Sequence, residues 1–119
     1  MEKEFVPYEL AVKLKALGFD EPCFGFYQRG DFLKIKVLRI NLFPRIDDSC
    51  LAPTFSQAFR WFREKGYHCG IIPRYDEFHY FIKDFVNDKE YDDVYNISSY
   101  EEAELACLKK LIEIVKENL

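Results

Sequence analysis

At 119 residues, with 49% hydrophobic and 32% charged residues, the chain is one domain's worth of sequence and too apolar to remain disordered. A net charge of −4 argues against bulk, sequence-blind nucleic-acid binding, and no apolar run approaches the ~18–20 residues that span a bilayer. Met1-Glu2-Lys3-Glu4-Phe5 lacks a basic region followed by an apolar stretch, so no secretory signal is read and a cytoplasmic protein with no membrane partner is expected.

Pro7 to Leu17 reads as a first helix, with Pro7 at the first helical position, Leu10, Leu14 and Leu17 at helical spacing, and Gly18 as a left-handed stop. A short strand follows at Cys23–Tyr27, and Gln28-Arg29-Gly30-Asp31 reads as a hairpin turn. The second strand starts at Phe32. Leu33, Ile35 and Val37 alternate with Lys34 and Lys36, and the alternation then changes phase to Leu38, Ile40 and Leu42, the mark of a bulge or a strand end. Pro44 to Pro53 reads as a loop. Thr54 and Gln57 have capping-box spacing ahead of a second helix, in which Phe55, Ala58, Phe59 and Phe62 form one stripe with Trp61 at its flank. Gly66 ends it.

His68–Ile72 and Glu77–Lys83 read as two strands joined by a turn at Pro73-Arg74-Tyr75-Asp76. Asp84 to Ser98 reads as an acidic loop. Ser99 caps the last helix, with Glu102 three residues on, and Leu105, Leu108, Leu111, Ile112, Val115 and Leu119 make its apolar stripe.

The element order αββαββα predicts an α+β two-layer sandwich, with a four-stranded antiparallel sheet and three helices on one face. The chain reads as a single domain, 1–119. Residues 5–43 and 53–83 form a weak αββ repeat ahead of the helix at 99–118: Tyr8 and Ala11 match Phe55 and Ala58, and Gly18-Phe19 matches Gly66-Tyr67. Shared helix–turn–strand grammar is the alternative to common ancestry.

Four cysteines without Cys-x-x-Cys spacing suggest free thiols in a reducing compartment. Cys23, Cys69 and Cys107 sit among apolar residues and read as small core hydrophobes, whereas Cys50, after Asp47-Asp48-Ser49, is expected to be exposed. His68 and Cys69 adjoin, but neighbouring strand residues point to opposite faces, so no metal site is expected. Asp88-Lys89-Glu90-Tyr91-Asp92-Asp93 lacks the glycine of a calcium loop. No glycine-rich phosphate loop or nucleophile elbow is present in the sequence, so no cofactor is expected. His79 with Asp76 or Asp84 could form an acid–base pair, with no nucleophile beside it.

Eight tyrosines are hard to hide in a core, because each buried hydroxyl needs a partner, and tyrosine is enriched at interfaces. Charge is uneven. Residues 28–75 hold nine basic and four acidic residues, net +5, and residues 76–119 hold five and twelve, net −7. The candidate interaction surface is therefore Lys34, Lys36, Arg39, Arg60, Trp61, Arg63, Arg74 and Tyr75. Basic and aromatic residues together can hold a single strand by phosphate contacts and stacking. The competing reading is that the two charged segments neutralise each other in the fold.

Three stretches carry a resemblance: Glu4-Phe5-Val6-Pro7 with Leu17-Gly18-Phe19-Asp20-Glu21-Pro22-Cys23; the run from Pro53 to Lys65, Pro-Thr-Phe-Ser-Gln-Ala-Phe-Arg-Trp-Phe-Arg-Glu-Lys; and the run from Tyr100 to Ile112. Together they resemble a family of short uncharacterised proteins from gut Bacteroides-type bacteria, their phages and mobile elements. The resemblance implies a small cytoplasmic accessory protein and transfers no catalytic residue. The expectation is a non-catalytic protein-interaction module that binds a protein partner or itself. Single-stranded nucleic-acid binding is the first alternative, and a small enzyme with an unrecognised site the second.

If the last helix covers the core, Leu108→Asp or Leu111→Asp buries an unpaired charge and no folded protein is expected. Soluble variants that still melt cooperatively would show that the stripe is not buried.

Overall fold

A computed structural model of the chain describes residues 2–28, 32–35, 49–91 and 97–118. The fold is α+β, with three α-helices and two three-stranded antiparallel sheets among the described residues. The chain divides into two compact units, residues 1–58 and 59–119.

In the first unit a 3-10 turn at Glu2–Glu4 leads to Phe5, which bridges to Thr54, and the Val6 N–H donates to the Pro53 carbonyl at 2.9 Å. Helix α1 spans Tyr8–Ala16. Pro7 stands one position earlier than expected, as the residue flanking the helix. Its backbone is extended, and its carbonyl accepts from the Leu10 and Ala11 N–H groups. Leu10, Ala11 and Leu14 are buried. Strands β1 (Gly25–Gln28), β2 (Phe32–Ile35) and β3 (Ser49–Ala52) pair in the order β2-β1-β3, and α1 packs on β3. Gln28 lies opposite Phe32, consistent with the expected hairpin, whose residues 29–31 lie outside the described part. The phase change at Val37-Leu38 also falls outside it.

Helix α2 (Phe55–Glu64) starts on the expected cap, with the Gln57 N–H donating to Thr54 Oγ1 at 3.2 Å. The Gln57 side chain does not complete the box. It donates to the Pro22 carbonyl at 2.8 Å. Phe55, Ala58, Phe59, Trp61 and Phe62 are all buried.

The second unit is a meander. Strands β4 (Tyr67–Arg74), β5 (Glu77–Asp84) and β6 (Lys89–Tyr91) pair in sequence order, and α3 (Tyr100–Glu117) packs on β4 and β5. Helix α3 is capped as expected, with Ser99 Oγ accepting the Glu102 N–H at 3.1 Å, while the Ser98 hydroxyl donates to the Glu102 carboxylate at 2.6 Å. Leu108 and Leu111 are fully enclosed, as are Ala103 and Cys107.

The single four-stranded sheet with three helices on one face does not form. Each half gains a third strand, so the described order is αβββαβββα. Two short strands escaped the sequence reading for different reasons. Ser49–Ala52 is buried on both faces, with Cys50, Leu51 and Ala52 in succession, so it shows no alternation. This places Cys50 in the core at 5% exposure, against the expectation that it is exposed. Lys89–Tyr91 is a polar edge strand of three residues, short and charged in the manner that blunts an edge.

Of the segment expected to be an acidic loop, 84–98, the first part is a tight turn built on Asp84, Lys89–Tyr91 is the edge strand, and residues 92–96 lie outside the described part. The Asp84 carboxylate is 1% exposed and accepts the backbone N–H groups of Val86 and Asn87 at 2.9 and 3.0 Å and the Asn87 side-chain amide at 3.1 Å. Gly66, at φ +96°, lies against this turn: its carbonyl accepts the Phe85 N–H at 3.0 Å, and a Cβ there would meet Val86 Cγ2 at 3.0 Å. Gly18 and Gly66 both take the left-handed conformation in which a helix stops. Each then leads to a buried aromatic, Phe19 or Tyr67, but the two sheets differ in strand order.

Losing three hydrogen bonds to one buried carboxylate is expected to make Asp84→Ala less stable by about 2–4 kcal/mol. Asp84→Asn, which keeps an acceptor for the turn N–H groups, should lose about half that, read by urea denaturation.

Candidate functional site

The β4–β5 ladder fixes which side chains look outward. The Phe85 N–H bonds the opposite Gly66 carbonyl, and Phe78 exchanges both of its backbone bonds with Ile97. Alternation from those points makes His68–Lys83, Gly70–Phe81, Ile72–His79 and Arg74–Glu77 the hydrogen-bonded pairs of the β4–β5 ladder. The backbone groups of Tyr67, Cys69, Ile71 and Pro73 then face away from β5, along the outer edge of the described sheet. Pro73 has no N–H to offer there.

Side chains sort by the same parity. Tyr67, Cys69, Phe78, Tyr80, Ile82 and Asp84 point toward the α3 side. Phe78 meets Tyr100 edge-on at 6.2 Å, and Tyr67 Oη accepts from Asn118 at 3.1 Å. His68, Ile72, Arg74, Glu77, His79, Phe81 and Lys83 lie on the opposite face. There Ile72 and Phe81 keep 39% and 38% exposure. Phe81 lies across Gly70, where a Cβ would stand 2.5 Å from its ring. Glycine is thus required at 70 for the aromatic ring to lie flat on the strand.

Phe85 extends this face from the turn after β5 and is 58% exposed. The His68 ring meets its edge at 5.0 Å, and Lys83 Nζ stands 5.1 Å from its centroid. Lys83 also pairs with Glu90 on β6 at 3.6 Å. At the hairpin tip Tyr75 is wholly exposed with φ +57°. The result is an apolar and aromatic patch edged by Arg74 and Lys83 on one side of the charge balance and Glu77 and Glu90 on the other.

The residues singled out from sequence disperse. Arg74 and Tyr75 adjoin at this hairpin tip. Lys34 is exposed on β2, in the first unit. Arg60 and Arg63 lie on the exposed side of α2, Arg60 within 4.0 Å of Glu64. Trp61 is buried at 6% exposure, edge-on to Phe62 at 5.1 Å and with Lys65 Nζ 4.5 Å from its ring, so it offers no open stacking face. Lys36 and Arg39 lie outside the described residues. His79 and Asp84 are on opposite faces of β5, and Asp84 is committed to its turn, so the pairing of His79 with Asp84 is not assembled.

Sequence reading missed Ile72, Phe81, Phe85 and His68 as a group. The available signal was β5 itself: Phe78, Tyr80 and Ile82 already fill one face, so Phe81 is an aromatic in the wrong phase for the core.

The tyrosines divide as their hydroxyls demand. Tyr27, Tyr67 and Tyr80 are buried, and Tyr27 Oη donates to the Val6 carbonyl at 2.6 Å. No buried side-chain nitrogen or oxygen among the described residues lacks a partner. Among the described residues no helix is long and apolar enough to cross a membrane. Comparison with known proteins finds no family model, curated protein or solved structure that matches this chain.

Cys23, in the first unit, is pushed up to about 12 by burial and then by Glu21. A thiol raised in this way keeps its proton in the folded state between pH 9 and 12, where the unfolded chain has lost it. Stability is therefore expected to fall as pH rises through that window. Urea midpoints for Cys23→Ala should fall less steeply than those of the unsubstituted chain; equal slopes would contradict the assignment.

Proposed function

We propose that the chain is a non-catalytic protein-interaction module, and that its contact surface is the outward face of β4 and β5 with Phe85. The observation that carries this reading is the shared exposure of Ile72, Phe81 and Phe85 on the one face that the α3 packing leaves open. Aromatic and aliphatic groups with a mixed polar rim are the composition of an interface centre and edge. The mobile-element setting implied by the sequence resemblance is compatible with an accessory protein of this kind.

The occupant we infer is the same face of a second copy. The rim holds two basic residues, Arg74 and Lys83, and two acidic ones, Glu77 and Glu90. A two-fold interface must be self-complementary, and a balanced rim meets that demand. The single-stranded nucleic-acid reading draws on Phe85 flanked by His68 and Lys83, but Lys83 is already paired with Glu90, which leaves few cations for phosphate.

Light scattering after size exclusion at about 100 µM chain should give a dimer mass, since that concentration populates a dimer held by about 7 kcal/mol. Phe81→Asp and Ile72→Asp, each on the open face, should give monomers with unchanged far-UV circular dichroism. A monomer for the unsubstituted chain overturns self-association. A labelled oligonucleotide that binds this monomer at ~50 mM salt would put the nucleic-acid reading in its place.

A further inference from the structure

Two thiols meet on the other side of the second unit's sheet. Cys69 points from β4 toward α3, and Cys107 lies in the enclosed stripe of α3. Helix α3 packs on β4, with Tyr100 against Phe78 at one end and Asn118 on Tyr67 at the other, so the two thiols face each other across this packing and each shifts the acidity of the other. Neither is in a disulfide.

Their surroundings differ. Cys107 has no exposed surface, whereas Cys69 is only partly buried. The facing Cys107 thiol holds Cys69 below the ordinary thiol range; burial opposes this, and the Arg63 guanidinium adds to it. Cys107 is pushed up by Cys69 and by burial. Burial penalises a thiolate at the enclosed Cys107 more than at the half-buried Cys69, so Cys69 is the readier of the two to ionise. This asymmetry matches the division of labour in a dithiol that oxidises stepwise: a less buried nucleophile and a sheltered second thiol.

We propose that Cys69 and Cys107 form a redox couple, in which a hydroperoxide oxidises Cys69 and Cys107 then closes a disulfide between β4 and α3. In the first step the Cys69 thiolate attacks one peroxide oxygen. The O–O bond breaks, a sulfenic acid forms, and hydroxide leaves and takes up a proton to become water. In the second step the Cys107 sulfur attacks the Cys69 sulfur. The S–O bond breaks, and the departing hydroxyl leaves as water with the Cys107 proton. Two thiols are oxidised by two electrons, and hydrogen peroxide is reduced to two waters. The couple is independent of the open face, because Cys69 and Phe81 lie on opposite sides of the sheet.

Cys23 and Cys50 serve as internal controls, since both are buried in the first unit and burial raises both. The test treats the full chain with equimolar hydrogen peroxide at neutral pH, alkylates the remaining thiols and maps the peptides by mass. The expected product is one disulfide, 69–107, with the chain lighter by two hydrogens and Cys69 consumed at least about tenfold faster than Cys23 or Cys50. Cys107→Ser should stall at a sulfenic acid trapped by dimedone; if that variant does not fold, Cys107→Ala supplies the same readout. Dithiothreitol should reverse the link and lower the melting temperature to that of the reduced chain. Oxidation of Cys23 or Cys50 ahead of Cys69 overturns the proposal. So does a sulfenic or sulfinic Cys69 beside an intact Cys107 in the unsubstituted chain.

Discussion

Packing of the α3 stripe on one face of β4 and β5 is the constraint that organises the second unit. Leu108, Leu111 and Ile82 are wholly enclosed, and burying side chains of that size contributes about 1.5–3 kcal/mol each. A strand's side chains alternate with period two, so committing Tyr80 and Ile82 to the core leaves no choice for their neighbours. His79 and Phe81 must look the other way, and Cys69 must look toward α3. Both the open face and the thiol pair are consequences of one register. A one-residue slip would bury Lys83 and expose Ile82, which is why that register is so strongly specified.

Local signals with a mechanism behind them were readable from the residues. Ser99 and Thr54 each cap a helix through the N–H three residues on, and the Gly18 and Gly66 stops have the positive φ their positions require. The stripe of α3 was readable because eighteen residues hold several helical turns. What stayed hidden was short or non-local. Ser49–Ala52 and Lys89–Tyr91 are too brief to show a period, and each is a strand only because β1 or β5 lies beside it. Without those two strands, two hairpins invited pairing into a single sheet.

The candidate surface was less legible, for a related reason. Charge and aromatic content were summed along the chain, but a surface is assembled across it. Trp61 looked available because it flanks the α2 stripe, yet it is enclosed. Phe81 adjoins Tyr80 and Ile82 in sequence but lies on the opposite face from them. Its role depends on Gly70, eleven residues away in sequence and directly opposite in the ladder. Cys69 and Cys107 are 38 residues apart, a separation no spacing rule connects.

Pro73 gives the outer rim of this sheet a further property. Any strand laid alongside β4 would find a missing donor close to the hairpin tip, and the ladder would be interrupted there. Zipper-like growth from that rim, of the sort that ends in fibrils, is thereby discouraged. A protein that leaves greasy rings uncovered on a flat platform gains from such a guard, because the broad side can stay adhesive while the margin does not template its own polymer.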